Sequence, residues 1–324
     1  MKFVKPRVII SKCIEFDNCR YNSNIIRSDL VKILMNFVDF IPICPEVEIG
    51  LGIPRDPIRL IKKNDELKLL NTSTNLDLTN EMNHFSNDFL NSIDQPDGFI
   101  LKSKSPSCGI LSTPYLANNQ KSAPKVGKGP GLFGKAVKKK FSQLPVESES
   151  RLNNFHIREY FLTNLYTIAR FRKIKESQKI RKLVKFQTEN KFLLMAYNQE
   201  EMRKLGQLVA NQEKLSFNEI ISDYEHCLFK ILASPPRNTS NVNVLKHILG
   251  YFSKKLNTEE KAFFLDELEK YRTGWIPLLL LIRLLKIWIV RFDQEYLKSQ
   301  TFLEPFPEEL IMFDLKDIWK DKSY

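Results

Sequence analysis

The sequence predicts an α/β domain followed by an all-α domain: a Rossmann-like parallel sheet first, a helical bundle behind it. Three observations carry this. Strand-like and helix-like segments alternate through the first hundred residues, the order of a parallel sheet with crossover helices. Three of those strands run toward a cysteine: Cys13, Cys44 and Cys108. Beyond residue 155 apolar residues recur at helical spacing. The expected domains are 1–145 and 146–324.

The elements follow in order. Val8-Ile9-Ile10 is a β-branched run that stops at Ser11-Lys12-Cys13, a strand with a thiol just past its end. A polar loop over 15–28 carries Cys19-Arg20-Tyr21. Residues 29–36 share an apolar face through Leu30, Ile33, Leu34 and Phe37, with Ser28 or Asp29 as cap. Phe40-Ile41-Pro42-Ile43 is the second strand and runs directly into Cys44-Pro45-Glu46. Gly50 to Pro57 is a loop punctuated by glycine and proline. A helix over 80–93 leads to the third strand, 98–102, and its Ser-Pro-Ser loop delivers Cys108-Gly109. After Gly109 the chain reads as irregular. Lys125 to Gly134 is glycine-rich and basic. Its backbone N–H groups could wrap a phosphate, but it lacks the full Walker pattern and reads as a flexible loop. A helix over 132–141 closes the domain, and 143–151 reads as a linker. Helices are expected over 155–176, 191–211, 216–233, 242–255, 259–271 and 276–292.

Composition narrows the partners. Of 324 residues 43% are hydrophobic, enough for two ordinary domains. Five cysteines, spread widely and with no secretory signal before them, argue for reduced thiols and a cytoplasmic setting. The longest apolar run, Trp275 to Ile282, is followed by Arg283, Lys286 and Arg291, so it reads as a buried helix rather than a membrane span. The net charge of +12 suits anionic partners. Residues 170–185 concentrate this charge, with Glu176 the one acid, and form a basic helix that could contact tRNA phosphates or be a solvated face.

Three thiols gathered at one sheet edge suit a zinc ion or an iron–sulfur cluster, since ligands of parallel sheets bind beyond the carboxyl ends of the strands. No close Cys-x-x-Cys pair is present. His84, His156, His226 and His247 are scattered without metal-ligand spacing, and they and Cys227 read as structural.

These motifs resemble a known family. Cys13…Cys19-Arg20-Tyr21, Cys44-Pro45-Glu46, Gly52-x-Pro54-Arg55 and Leu101-Lys102-Ser103-x-Ser105-Pro106-Ser107-Cys108-Gly109 are similar to those of the thiouracil desulfidases. The second half resembles the YbgA-like domain often fused behind them, through Phe192-Leu193-Leu194-Met195-Ala196, Asn243-Val244-Leu245-x-His247-x-x-Gly250-Tyr251-Phe252, Tyr271-Arg272-x-Gly274 and Tyr296-Leu297-x-x-Gln300. The resemblance implies a 4Fe-4S cluster held by Cys13, Cys44 and Cys108, with one iron left open to take a thiocarbonyl sulfur. It implies Glu46 as acid/base and Ser105 as a group that binds substrate or orients water, with Arg20, Arg55 and Ser107 toward the substrate. Glu46 could instead cap a helix or pair with Arg55.

The chain departs from the family in its first loop. Glu15-Phe16 stand where a glycine is usual, and Asn22-Ser23 replace the usual Asp-Gly. These changes bear on substrate choice more than on cluster binding. Phe186-Gln187-x-x-Asn190 stands where the second domain commonly shows two histidines, which argues against a histidine-dependent role there.

The expected function is cluster-dependent, non-redox desulfuration of a thiolated nucleobase or nucleoside. The alternative is a non-catalytic RNA- or protein-binding or redox-sensing factor with a structural cluster or zinc, for which Cys19 is the nearby fourth ligand.

Overall fold

A computed structural model describes residues 3–64, 66–210 and 214–311. They form two compact units, Val4–Ala169 with the described residues from Pro307, and Arg170–Phe306 with Phe3.

The first unit begins with β1 (Arg7–Ser11), α1 (Asp29–Leu34) and β2 (Asp39–Ile43). The Ser28 hydroxyl caps α1 by accepting the Val31 N–H at 3.4 Å. The four-residue α2 (Pro45–Glu48) starts with proline at its first position, where the missing N–H costs nothing. Next come β3 (Ile58–Lys63), β4 (Glu66–Asn71), α3 (Thr79–Ser92), β5 (Gly98–Leu101), β6 (Thr113–Leu116), β7 (Lys125–Gly129), α4 (Leu132–Lys140) and β8 (Val146–Ser148).

The parallel sheet is present as expected. Its order is β2-β1-β5-β8, every pair parallel, with Ile9 facing Ile41 on one side and Phe99 on the other. Its carboxyl edge carries the cysteines: Cys13 two residues beyond β1, Cys44 directly after β2, Cys108 on the loop after β5.

Two readings of the sequence are corrected here. Residues 143–151 are no linker. β8 lies within them and completes the sheet beside β5, with Phe99 facing Val146. The chain after Gly109 is not irregular. β6 and β7 join the β3–β4 hairpin in a second, mixed sheet of order β4-β3-β6-β7. These strands were not legible because their faces are mixed: Lys125-Val126-Gly127-Lys128-Gly129 has glycine where a strand ordinarily carries a packing side chain. The two sheets share one core with α3 and α4, built from Ile9, Phe99 and Leu101 with Leu60, Leu69, Met82 and Phe133.

Helix α5 (Phe155–Ser177) crosses the division between the units at residues 169 and 170. Its Tyr166 hydroxyl donates to the Phe37 carbonyl at 3.2 Å, inside the first unit.

The second unit continues with α6 (Ile180–Glu189), α7 (Lys191–Tyr197), α8 (Gln199–Ala210), α9 (Phe217–Leu232), α10 (Asn238–Gly250), α11 (Thr258–Arg272), α12 (Leu278–Arg291) and α13 (Glu295–Lys298). Ser216 and Asn257 start α9 and α11 with full capping boxes. The single helix expected over 191–211 is two, because the Asn198 side chain accepts the N–H groups of Glu200 and Glu201 at 3.1 Å and starts α8 anew. Its last residue, Asn211, lies outside the described residues.

The basic helix 170–185 is likewise corrected. Gln178 has φ 50°, outside the helical region, and separates α5 from α6. Much of its charge is paired within the unit: Arg170 with Glu189 at 2.7 Å, Arg172 and Lys173 with Glu176, Lys175 with Glu225 at 2.7 Å. Among the described residues no helix is long and apolar enough to cross a membrane.

Candidate functional site

The carboxyl edge of the parallel sheet opens on a cavity of about 220 Å³. Cys13, Cys19, Cys44 and Cys108 all line it, together with Glu46 and the loop 102–108. The four thiols are buried, from 1% exposed at Cys19 to 9% at Cys13, and none is in a disulfide.

Each wall is built by local hydrogen bonding. The Cys108 loop folds around Ser105, whose hydroxyl accepts the N–H groups of Ser107 at 3.2 Å and Cys108 at 3.1 Å. The Ser105 carbonyl accepts the Gly109 N–H and the Thr113 hydroxyl, both at 2.9 Å. The glycine-rich segment docks on this loop. The N–H groups of Gly131, Leu132 and Gly134 donate to the carbonyls of Gly109, Pro106 and Ser107 at 2.8, 3.1 and 2.9 Å. Neither the flexible loop nor the phosphate cradle describes it, since the donors at the start of α4 are committed to the cysteine loop. Glycine is required there: a Cβ on Gly134 would stand 2.1 Å from the Gly109 carbonyl oxygen, and one on Gly131 would stand 2.4 Å from that of Ser107.

The base of the loop is held by Glu149, just past β8 and 8% exposed. Its carboxylate accepts the Ser103 N–H at 2.7 Å, the Ser103 hydroxyl at 2.8 Å and the Lys102 ammonium at 2.9 Å. On the β1 side, the Ser11 hydroxyl accepts the Lys102 N–H at 2.9 Å. Neither Glu149 nor Ser11 was expected to serve the site. Glu149 sat in an apparent linker, and Ser11 was one polar residue at a strand end.

Glu46 lies in the first turn of α2, two residues after Cys44. Its Oε1 accepts the Ser107 hydroxyl at 2.7 Å and the Ser105 hydroxyl at 3.5 Å, and the two hydroxyls are 2.9 Å apart. The other oxygen pairs with Arg55. The Arg55 guanidinium also donates to the carbonyls of Cys19 at 2.9 Å and Gly52 at 3.2 Å. Arg55, expected to face the substrate, is thus 5% exposed at its side chain and joins Glu46 to the Cys19 loop. Arg20 does line the cavity, with its guanidinium over the Tyr21 ring at 5.7 Å.

The departures in the first loop fall at left-handed backbone positions. Glu15 has φ 64° and Ser23 φ 55°, conformations that cost an L-residue about 1–2 kcal/mol and that glycine takes freely. Glu15 offsets that cost with its carboxylate, which is buried, accepts the Ser28 N–H and accepts from Arg27 at 3.2 Å.

Burial and mutual contact raise the pKa values of three of the thiols. Hydrogen bonding to Cys13 is the main cause for Cys19, at about 11; contact with Cys19 raises Cys44; and burial lifts Cys108 to about 12. Protonated, these three are soft neutral groups without counter-charge. A bound metal group would deprotonate them and supply that charge. Among the described residues no three His, Cys, Asp or Glu side chains converge as ligands of one ion would. Thiols ringing a cavity, all soft donors, fit a polynuclear iron–sulfur group.

In the helical unit, Gln187 and Asn190, at the positions of the missing histidines, are buried and bonded. Tyr224 donates to Gln187 at 2.5 Å and Thr301 to Asn190 at 2.7 Å.

Comparison with known proteins adds the following. Residues 8–149 match the family described as 2-thiouracil desulfurase, and residues 191–307 match a family described as protein of unknown function DUF1722. The uncharacterized protein YbgA of Escherichia coli (strain K12) is 25% identical over 148 residues, which cover 45% of this chain and 88% of that protein. A solved structure of the 4Fe-4S-dependent thiouracil desulfidase TudS is 25% identical, with 46% of this chain and 94% of that chain covered and a TM-score of 0.37.

Proposed function

We propose that this chain, whose first domain belongs to the 2-thiouracil desulfurase family and whose second is a DUF1722 domain, removes sulfur without net redox change from a thiolated pyrimidine base or nucleoside. The single observation that carries this reading is that one cavity holds both a thiol set and a carboxylate hydrogen-bonded to the loop of the last thiol. Cys13, Cys44 and Cys108 would hold a 4Fe-4S cluster. When bound, it supplies a Lewis-acidic iron and a sulfur acceptor.

The remaining chemistry belongs to side chains. Glu46 takes a proton from the attacking water and returns it to the pyrimidine, the work of a general acid/base. Arg55 pins one of its oxygens, so the other is aimed at the cavity and at the Ser105 and Ser107 hydroxyls. Ser107 is bonded to Glu46 as shortly as a hydroxyl–carboxylate pair ordinarily is, and relays the proton. Ser105 organises the loop and presents its hydroxyl alongside. Arg20, at the cavity wall, orients the substrate. The RNA contact expected of residues 170–185 narrows to Lys179, Arg181 and Lys182, exposed at the start of α6. Five free cysteines suit a reducing compartment such as the cytoplasm.

Anaerobically reconstituted protein should release sulfide from 2-thiouracil, and Glu46→Ala should release it about 10²–10⁴-fold more slowly. Release by Glu46→Ala at the wild-type rate would remove Glu46 from the mechanism. A protein that holds zinc and no iron would replace this reading with that of a metal-stabilised binding factor.

A further inference from the structure

Cys19 has no part in the chemistry above, yet it is the most deeply buried of the four thiols. A buried cysteine is ordinarily a small apolar core residue. Cys19 is not in such a place. It lines the same cavity as the other three, and the Cys44 thiol donates to its carbonyl.

The backbone holds it there. The Cys19 carbonyl accepts from Arg55 at 2.9 Å and from the Cys44 thiol at 3.8 Å. The loop is tied on either side, Asp17 N–H to the Lys12 carbonyl at 3.0 Å and Ile26 N–H to the Cys13 carbonyl at 2.8 Å. A thiol held in a cavity lined by three other soft donors is itself a donor of the same kind.

We propose that Cys19 is a fourth, displaceable thiolate ligand of the metal group, an inference that rests on the cluster reading. With no substrate present, Cys19 closes the coordination that Cys13, Cys44 and Cys108 leave open. On substrate binding the Cys19 thiolate leaves and takes up one proton from solvent, while the thiocarbonyl sulfur occupies its place. One bond to iron breaks and one forms, and no electrons are transferred. Only a ligand as soft as sulfur competes with a thiolate, so the device also favours thiocarbonyl over carbonyl substrates.

The test uses the full chain, reconstituted anaerobically, as wild type and as Cys19→Ala. Iron per chain and the electron paramagnetic resonance spectrum are recorded before and after one equivalent of ferricyanide. Wild type should keep its iron. Cys19→Ala should lose about a quarter of its iron and develop a three-iron signal, since one iron of four then lacks a thiolate. Ethanethiol should protect the variant. In the wild type itself, added 2-thiouracil should open the displaced Cys19 thiol to alkylation by iodoacetamide, a measurement that needs no substitution. Equal iron loss from wild type and Cys19→Ala, or no gain in Cys19 alkylation when 2-thiouracil is added to wild type that holds iron, would overturn the role of Cys19 alone. Failure of wild type to bind iron would overturn the cluster reading and this inference with it.

Discussion

In the helical unit Asn190 is wholly buried, and its amide is bonded at both ends, donating to the Phe186 carbonyl and accepting from Thr301, each at 2.7 Å. In the α/β unit Cys19 is as deeply buried, but it lines a cavity of about 220 Å³ together with three other cysteines. The same contrast holds for their neighbours. Gln187 bonds Tyr224 and the Met202 carbonyl, so its amide too joins helix to helix. Glu46, Ser105 and Ser107 bond one another along a wall that faces open space. Polar groups that satisfy one another specify packing. Polar groups gathered around a cavity await something that enters it.

The sharpest way to break this contrast is to remove a ligand. Cys108→Ala should abolish iron binding and sulfide release together, while circular dichroism of the helical unit stays unchanged; iron retained at the wild-type level would show that Cys108 holds nothing. Glu46→Gln separates chemistry from assembly. It keeps a hydrogen-bonding oxygen for Ser107 but cannot take a proton. Its turnover should fall about 10²–10⁴-fold at wild-type iron content.

Substitutions that act on packing come next. Gly134→Ala places a methyl on the Gly109 carbonyl and should cost about 1–3 kcal/mol in urea unfolding, with a loss of iron as the cysteine loop moves. Asn190→Ala in the helical unit should cost a similar 1–3 kcal/mol by stranding the Thr301 hydroxyl, yet leave iron content untouched. If Asn190→Ala depleted iron and Gly134→Ala did not, the division of labour between the units would be reversed. The smallest effect is expected at Asn257→Ala, which removes the cap of α11 for about 1 kcal/mol and should alter neither iron nor turnover.

The legible part of the fold was the part with strong local signals. Val8-Ile9-Ile10 and Phe99-Ile100-Leu101 are continuous apolar runs because both faces of a central parallel strand are covered, and all six side chains are buried. Ser28 and Ser216 marked helix starts that the structure keeps. β6 and β7 were invisible because they owe their pairing to one another and to β3 rather than to any apolar run, with Tyr115 facing Leu60 on one side and Gly127 on the other. β8 was hidden for the same reason, three residues made a strand only by their neighbour β5.

By itself, then, the sequence determined the parallel sheet, the helical second half and the delivery of three cysteines to one edge, because strand direction and loop position follow from local pattern. Tertiary structure alone decided which groups meet there. Ser11 comes from a strand end, Glu149 from an apparent linker and Gly131 and Gly134 from an apparent flexible loop, each brought to the Cys108 loop by contacts between residues distant in the chain. No spacing in the sequence encodes such contacts. They arise when the sheet and α4 close around the same core, and they turn three strand ends into one site.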